Sequence, residues 1–418
     1  MSLSTISLRT ALVLLLAVPL TADELPIVEP AEVGMSAEGL AKVDEAVEKL
    51  VADRQLAGAV VIVARNGKVV HLKSYGQLDI EADKPMRDDA IFRIYSMTKS
   101  ITSAAALMLV DDGKLALDDP VSKYIPEFEG LQVFADDGNV DAEQPMTVRD
   151  LLRHTSGLTY GFYGSTPVDR RYLAANLLDY DADLSVMMTK LAEIPLVCQP
   201  GSDWVYSVST DVLGRVVEVA SGQPLDEFFR VRIFEPLDMR DTSFFVPADK
   251  LDRFAANYTS DGQGNLTLRD APSTSRFAKP PQLFSGGGGL VCTARDYMRF
   301  LVMVSQGGEL QGKRLLSKES IEKMTTNQLP AEVGWIQLAG PERQGVGFGL
   351  GFSVRVEDDS KSPSSLIGDY GWGGAASTHY WVSPQDDLVV VTLEQTIPFN
   401  FRNEWAVKPL IQQAIIER

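Results

Sequence analysis

Apolar residues recur at helical spacing between Ser36 and Val51, where Leu40, Val43, Ala46, Val47 and Leu50 share a face and Ser36 stands ahead of them as an N-cap. The period then shortens. Ala57 to Arg65 and Lys68 to Ser74 are rich in β-branched residues, and the Asn66-Gly67 pair between them tolerates the positive φ of a two-residue turn, which predicts an antiparallel hairpin. After Ser96 the chain turns to Ala, Leu and Met, densest from Ile101 to Val110, and Asp112-Gly113 can close such a helix in the left-handed conformation. Ser96 therefore falls near a helix start.

Between about 114 and 275 the pattern is loop-rich and helical in period, with helices predicted over Val148 to His154, Leu184 to Leu191 and Thr210 to Ala220. Strands return at Gly347 to Val356, His379 to Val382 and Leu388 to Glu394, followed by a closing helix from about Glu404. Strands at both ends and helices between imply one sheet built from both termini. The predicted fold class is α/β: an antiparallel sheet flanked by helices, formed by residues 23–113 and 276–418, plus an inserted, mostly helical lobe over 114–275. Ser285-Gly286-Gly287-Gly288-Gly289 reads as a loop or a close backbone approach, because no phosphate-loop lysine and helix accompany it.

A chain of 418 residues, 45% hydrophobic and 23% charged, can bury a large core. Its 57 acidic and 39 basic side chains give a net charge of −18, which repels phosphate backbones, so no nucleic-acid partner is expected. His71, His154, His379, Cys198 and Cys292 cannot assemble a zinc pattern such as HExxH or paired CxxC, and no metal is expected. The N-terminus has a lone basic residue, Arg9, then the apolar run Ala11 to Leu20 and Thr21-Ala22 before acidic residues. That reads as a signal peptide over 1–22, too short to span a bilayer, and predicts an exported, periplasmic or secreted protein without a stable membrane anchor. Export would allow Cys198 and Cys292 to pair; a disulfide and two buried thiols both remain open from sequence separation alone.

No serine has glycine both two before and two after it, so the nucleophile elbow of α/β-hydrolases is missing. Ser-x-x-Lys occurs twice. Ser320-Ile321-Glu322-Lys323 lies in a highly charged stretch behind a cap at Ser317 and reads as a solvated helix face. Ser96-Met97-Thr98-Lys99 instead precedes an apolar helix, which places its lysine inward and lets the amine reach the serine three residues back. Desolvation lowers a lysine pKa toward neutrality, so that it can take the serine proton, and the helix start offers N–H groups to an oxyanion. Tyr206, in Tyr206-Ser207-Val208, falls at a loop-to-helix junction, where a phenol beside an ammonium could ionise and act as a base. Asp369-Tyr370-Gly371-Trp372-Gly373-Gly374-Ala375-Ala376 precedes a strand, with an indole beside a glycine-lined edge open to close substrate approach. His154 and His379 read as structural residues, the first ordering a loop and the second at a sheet edge.

In this order, Ser96-Met97-Thr98-Lys99, Tyr206-Ser207-Val208 and Trp372-Gly373-Gly374 resemble the serine β-lactamase-like superfamily, and more narrowly the family VIII carboxylesterases related to class C β-lactamases. Leu151 to Leu158, Gly287 to Val291 and Gly113 to Pro120 extend the likeness over about 30 to 415. The resemblance implies an acyl-enzyme on Ser96, with Lys99 and Tyr206 sharing proton transfers and the N–H groups of Ser96 and Ala375 as oxyanion hole. Trp372, Gly373, Gly374 and Val208 would bind substrate, and no cofactor is implied.

The departures from the class C pattern narrow the substrate. Val208 replaces an asparagine that would hydrogen-bond a substrate amide. Trp372 replaces the lysine that meets a β-lactam carboxylate, a contact worth about 1.5–3 kcal/mol, or roughly a factor of 10 to 150. A small-molecule carboxylic ester is therefore the expected substrate. The alternatives are a β-lactamase or D-amino-acid peptidase acting on amides, an acyltransferase, and a penicillin-recognising sensor that stays acylated.

Overall fold

In the computed structural model, residues 24–338, 340–359 and 364–417 are described, and the apolar run read as a signal peptide lies outside them. The main sheet comprises β1 (Gly58–Arg65), β2 (Lys68–Asp79), β3 (Lys84–Pro85), β4 (Val346–Phe348), β5 (Ser353–Arg355), β6 (Tyr370–Gly374), β7 (Thr378–Ser383) and β8 (Leu388–Glu394). Their order across the sheet is β4-β5-β6-β7-β8-β1-β2-β3, all neighbours antiparallel. The two ends of the chain meet at its centre, where β8 pairs with β1 from Ala59↔Glu394 to Arg65↔Leu388. Asn66 and Gly67 both take positive φ and close the β1–β2 hairpin.

The helices that bear on the sheet and the site are α1 (Ala37–Ala52), α2 (Thr98–Asp111), α3 (Val148–Arg153), α4 (Leu184–Ala192), α5 (Ser209–Ser221), α6 (Ala294–Ser305) and α7 (Arg402–Gln413). Strand alternation divides the core. Ala59, Val61 and Val63 face α1 and α7, packing with Leu40, Val43, Val47, Val407 and Ile411. Val60, Ile62 and Ala64 face the other way, into a cluster that holds α2, α6 and the helices of the 114–275 segment together. Helix α2 runs through the middle of this cluster, buried without interruption from Thr98 to Leu109. An amphipathic helix exposes one side; this stretch exposes none, so Lys99 within it is stripped of water.

Several expectations are corrected. The 114–275 segment also contributes strand: Asn257–Ser260 and Leu266–Asp270 pair with each other, and Thr396–Ile397 adds in parallel. Leu266-Thr267-Leu268-Arg269 carries the period-two signal, but over few residues. The single strand expected over Gly347 to Val356 is instead the hairpin β4–β5, bent at Gly349–Phe352 with Gly351 at φ +111°. The Asp369–Ala376 segment does not merely precede a strand; Tyr370–Gly374 is one. His379 lies on β7, an interior strand between β6 and β8, not at a sheet edge. Ser320 is buried rather than solvated, its hydroxyl donating to Asp111 at 2.8 Å, while Lys323 turns outward to Glu319. Cys198 and Cys292 are both free thiols. Among the described residues no helix is long and apolar enough to cross a membrane.

Candidate active site

The strand Phe92–Arg93 leads into a 3₁₀ turn, Tyr95–Met97, that runs directly into α2. Tyr95 holds φ at +42°, a conformation costly for a bulky residue and sustained only by its surroundings. Its hydroxyl accepts from Asn257 Nδ2 at 3.3 Å and its ring meets the edge of Phe277. The strained turn presents Ser96 to a cavity of about 610 Å³, whose lining includes Tyr163, Tyr206, Trp372, Gly373 and Ala375.

Lys99 is one turn along α2 and only 1% exposed. Its Nζ lies 3.4 Å from Ser96 Oγ and donates to Tyr160 Oη at 2.8 Å and to the Gly287 carbonyl at 2.6 Å. Burial pushes its pKa down to about 7, against an upward pull from Asp211. Asp211, buried on α5, accepts through Oδ1 from Ser285 Oγ at 2.5 Å and Gly287 N at 3.0 Å. The glycine run is thus a close approach: a Cβ on Gly287 would collide with the Asp211 carboxylate and crowd the Tyr160 hydroxyl.

Tyr206 stands in an aromatic cluster, with ring centroids 5.0 Å from His154, 5.3 Å from Tyr160 and 5.4 Å from Trp372. Lys99 Nζ sits 4.9 Å from its ring centre. Burial drives the Tyr206 hydroxyl well above the ordinary tyrosine value, and Ser96 and Trp372 offset this only in part. The sequence expectation of an ionised phenol beside an ammonium runs against both directions: desolvation disfavours the phenolate and the ammonium alike. His154 is buried behind Tyr206, held below its usual pKa by burial, with Nδ1 3.3 Å from Ser207 Oγ.

Strand β6 forms the opposite wall. Trp372 donates from Nε1 to Tyr206 Oη at 3.4 Å and packs edge-on against Phe348. Gly374 lies directly on the Ile94 backbone, and Ala375 follows it, exposed to the cavity. Val208 is not in the cavity lining; it is buried in the core at the start of α5. Among the described residues no group of His, Cys, Asp or Glu is placed to hold a metal ion. Two site neighbours escape sequence reasoning altogether. Tyr160 lies 61 residues from Lys99 in sequence, and Asp211 stands five positions after Tyr206 with no motif to mark it.

The family model described as Beta-lactamase matches residues 43–406. Protein Rv1367c of Mycobacterium tuberculosis is 40% identical over 354 residues, covering 82% of this chain and 86% of that one. Esterase EstB of Burkholderia gladioli is 33% identical over 389 residues, 88% of this chain and 93% of its own. Among solved structures, EstCE1, described as a hydrolase with promiscuous acyltransferase activity, superimposes with a TM-score of 0.74 at 27% identity, covering 91% of this chain and 99% of that one.

Proposed function

The chain belongs to the beta-lactamase family, and from that premise we propose that it is a carboxylic-ester hydrolase working through an acyl-enzyme on Ser96. The observation that carries this reading is Lys99: an amine 3.4 Å from Ser96 Oγ, with its pKa near 7, is poised to take the serine proton. As Ser96 Oγ attacks the ester carbonyl its proton passes to Lys99, and the oxyanion is received by the N–H groups of Ser96 and Ala375. Collapse breaks the bond to the alcohol oxygen, which takes a proton from Lys99 relayed through the Tyr206 hydroxyl, so the alcohol leaves neutral. Water then repeats the sequence on the acyl-enzyme and releases the acid and Ser96. Tyr206 acts as a neutral donor throughout, because its environment resists ionisation.

Esters suit the wall that faces Ser96. Trp372 is packed between Tyr206 and Phe348 and offers an indole where a β-lactam carboxylate would need a cation. The name of EstB supports the same substrate class. Acyl transfer to an alcohol is the second reading, favoured by the description of EstCE1 and by half-exposed Tyr163 in the cavity lining, its ring against that of exposed Phe162, which gives an acceptor an apolar surface. The apolar N-terminal run leads us to propose export as well, which N-terminal sequencing of the mature protein tests.

The test pairs the parent with Ser96→Ala on p-nitrophenyl butyrate and on a chromogenic cephalosporin, with intact mass taken during turnover. Fast ester hydrolysis, an adduct of butyryl mass and loss of both in the variant are expected. Ester hydrolysis at the parent rate without Ser96 would overturn the assignment, and faster cephalosporin than ester turnover would overturn the substrate class.

A further inference from the structure

The cavity continues beyond Ser96. Strand β5 pairs with β6 only at Tyr370 and Gly371, so the edge of β6 from Trp372 onward is open, and the cavity passes it to the opposite face of the sheet. On that face β6 presents Gly371 and Gly373, opposite Trp381 and His379 of β7, and so contributes no side chain. Phe399 and Phe401 give this chamber apolar walls, and Arg343, Glu404 and Lys408 bring charge into it.

The charges there are matched except at one place. Glu404 faces His379 Nδ1 at 3.1 Å and Lys408 at 3.9 Å, and Lys408 also faces Asp369 at 3.9 Å. Arg355 faces Asp359 at 3.9 Å. Among the described residues, no carboxylate comes within 4.0 Å of the Arg343 guanidinium, whose described contact is the Phe401 ring, 5.6 Å to its centre. Burial also weighs against its charge, with Glu404 offsetting only in part. A guanidinium held in a partly dry chamber with no carboxylate in direct contact gains most from a planar anion that it can grip with two N–H groups.

We propose that Arg343 is the receptor for a carboxylate carried by the substrate, so that the preferred esters are anions whose carboxylate is remote from the scissile bond and whose apolar link runs along Phe399 and Phe401. This deepens the ester-hydrolase reading and rests on it for its kinetics. The anion would bind away from Trp372, on the far side of β6, which distinguishes it from recognition of a β-lactam carboxylate beside the nucleophile.

The experiment compares 4-(butyryloxy)benzoate and mono-p-nitrophenyl adipate with their neutral counterparts, methyl 4-(butyryloxy)benzoate and p-nitrophenyl butyrate, using the parent, Arg343→Gln and Arg343→Lys. The glutamine variant is expected to lose about tenfold or more in kcat/KM on at least one anionic ester, through KM, while staying within about twofold on the neutral ones. Lysine should restore part of the loss, and added salt should narrow the parent's preference. Equal losses on charged and neutral esters, or none on either, would overturn the proposal. Calorimetric binding of 4-(butyryloxy)benzoate to Ser96→Ala, with and without Arg343→Gln, reads the same contact without turnover. If the parent hydrolysed no ester yet this binding depended on Arg343, the ester reading would fall and the receptor would stand; binding indifferent to Arg343 would remove the receptor.

Discussion

Gly374 lies against Ile94 so closely that a Cβ at residue 374 would collide with the Ile94 carbonyl. That contact joins the end of β6 to the turn carrying Ser96, two residues further along, and so sets the distance between the nucleophile and the Ala375 N–H. Gly374→Ala should push the two apart. We expect a loss of at least tenfold in ester kcat, with destabilisation of about 1–3 kcal/mol from overpacking. Melting curves and single-turnover acylation rates measure the two separately; unchanged acylation would mean that the contact only packs.

The pH dependence follows from Lys99. It must be neutral to accept the Ser96 proton, and its pKa lies at about 7, so kcat/KM should rise with pH through about 7 and then level. Asp211 raises that pKa, so Asp211→Asn should move the rising limb to lower pH. Lys99→Arg, which cannot give up its proton, should abolish the limb with the activity. A profile flat from about pH 5.5 to 8 would remove Lys99 as the base.

Tyr206 and Tyr160 both stand beside Lys99 but should behave differently when reduced to phenylalanine. Tyr206→Phe removes the hydroxyl that relays the proton, and a loss of about 10²–10⁴ in kcat is expected. Tyr160→Phe removes an acceptor of the lysine N–H, which should lower the Lys99 pKa and shift the limb to lower pH with a smaller loss of rate. Equal losses without any shift would show that Tyr160 also exchanges protons.

Both cysteines are free, and burial raises the pKa of each, Cys198 to about 11. Alkylation in denaturant without reductant should therefore add two groups per chain, and in the native state Cys292 should stay unmodified. A protein that takes up no label until it is reduced would show that the pair is a disulfide.

The sheet's central hairpin was legible because β1 and β2 are β-branched runs joined by a turn whose two residues accept positive φ, a property of those residue types wherever they stand. Helix α1 was legible through its cap, Ser36 Oγ accepting from Gly39 N. The three-stranded sheet at Asn257–Ser260 was not, because strands of two to five residues carry too few alternations to outweigh their setting.

Sequence by itself determined which chemistry the chain can bring: a serine and a lysine one helical turn apart, a tyrosine at a helix start and a glycine-lined indole. Their charge states were decided only by tertiary structure. Desolvation depends on what packs around a group, so burial among the α2 neighbours lowers the Lys99 pKa to about 7, and burial in the aromatic cluster raises that of Tyr206. Tertiary structure alone also brought in Tyr160 and Asp211, withdrew Val208 into the core and left Arg343, among the described residues, with no carboxylate in direct contact. None of these follows from spacing, since each depends on how segments far apart in the chain pack together.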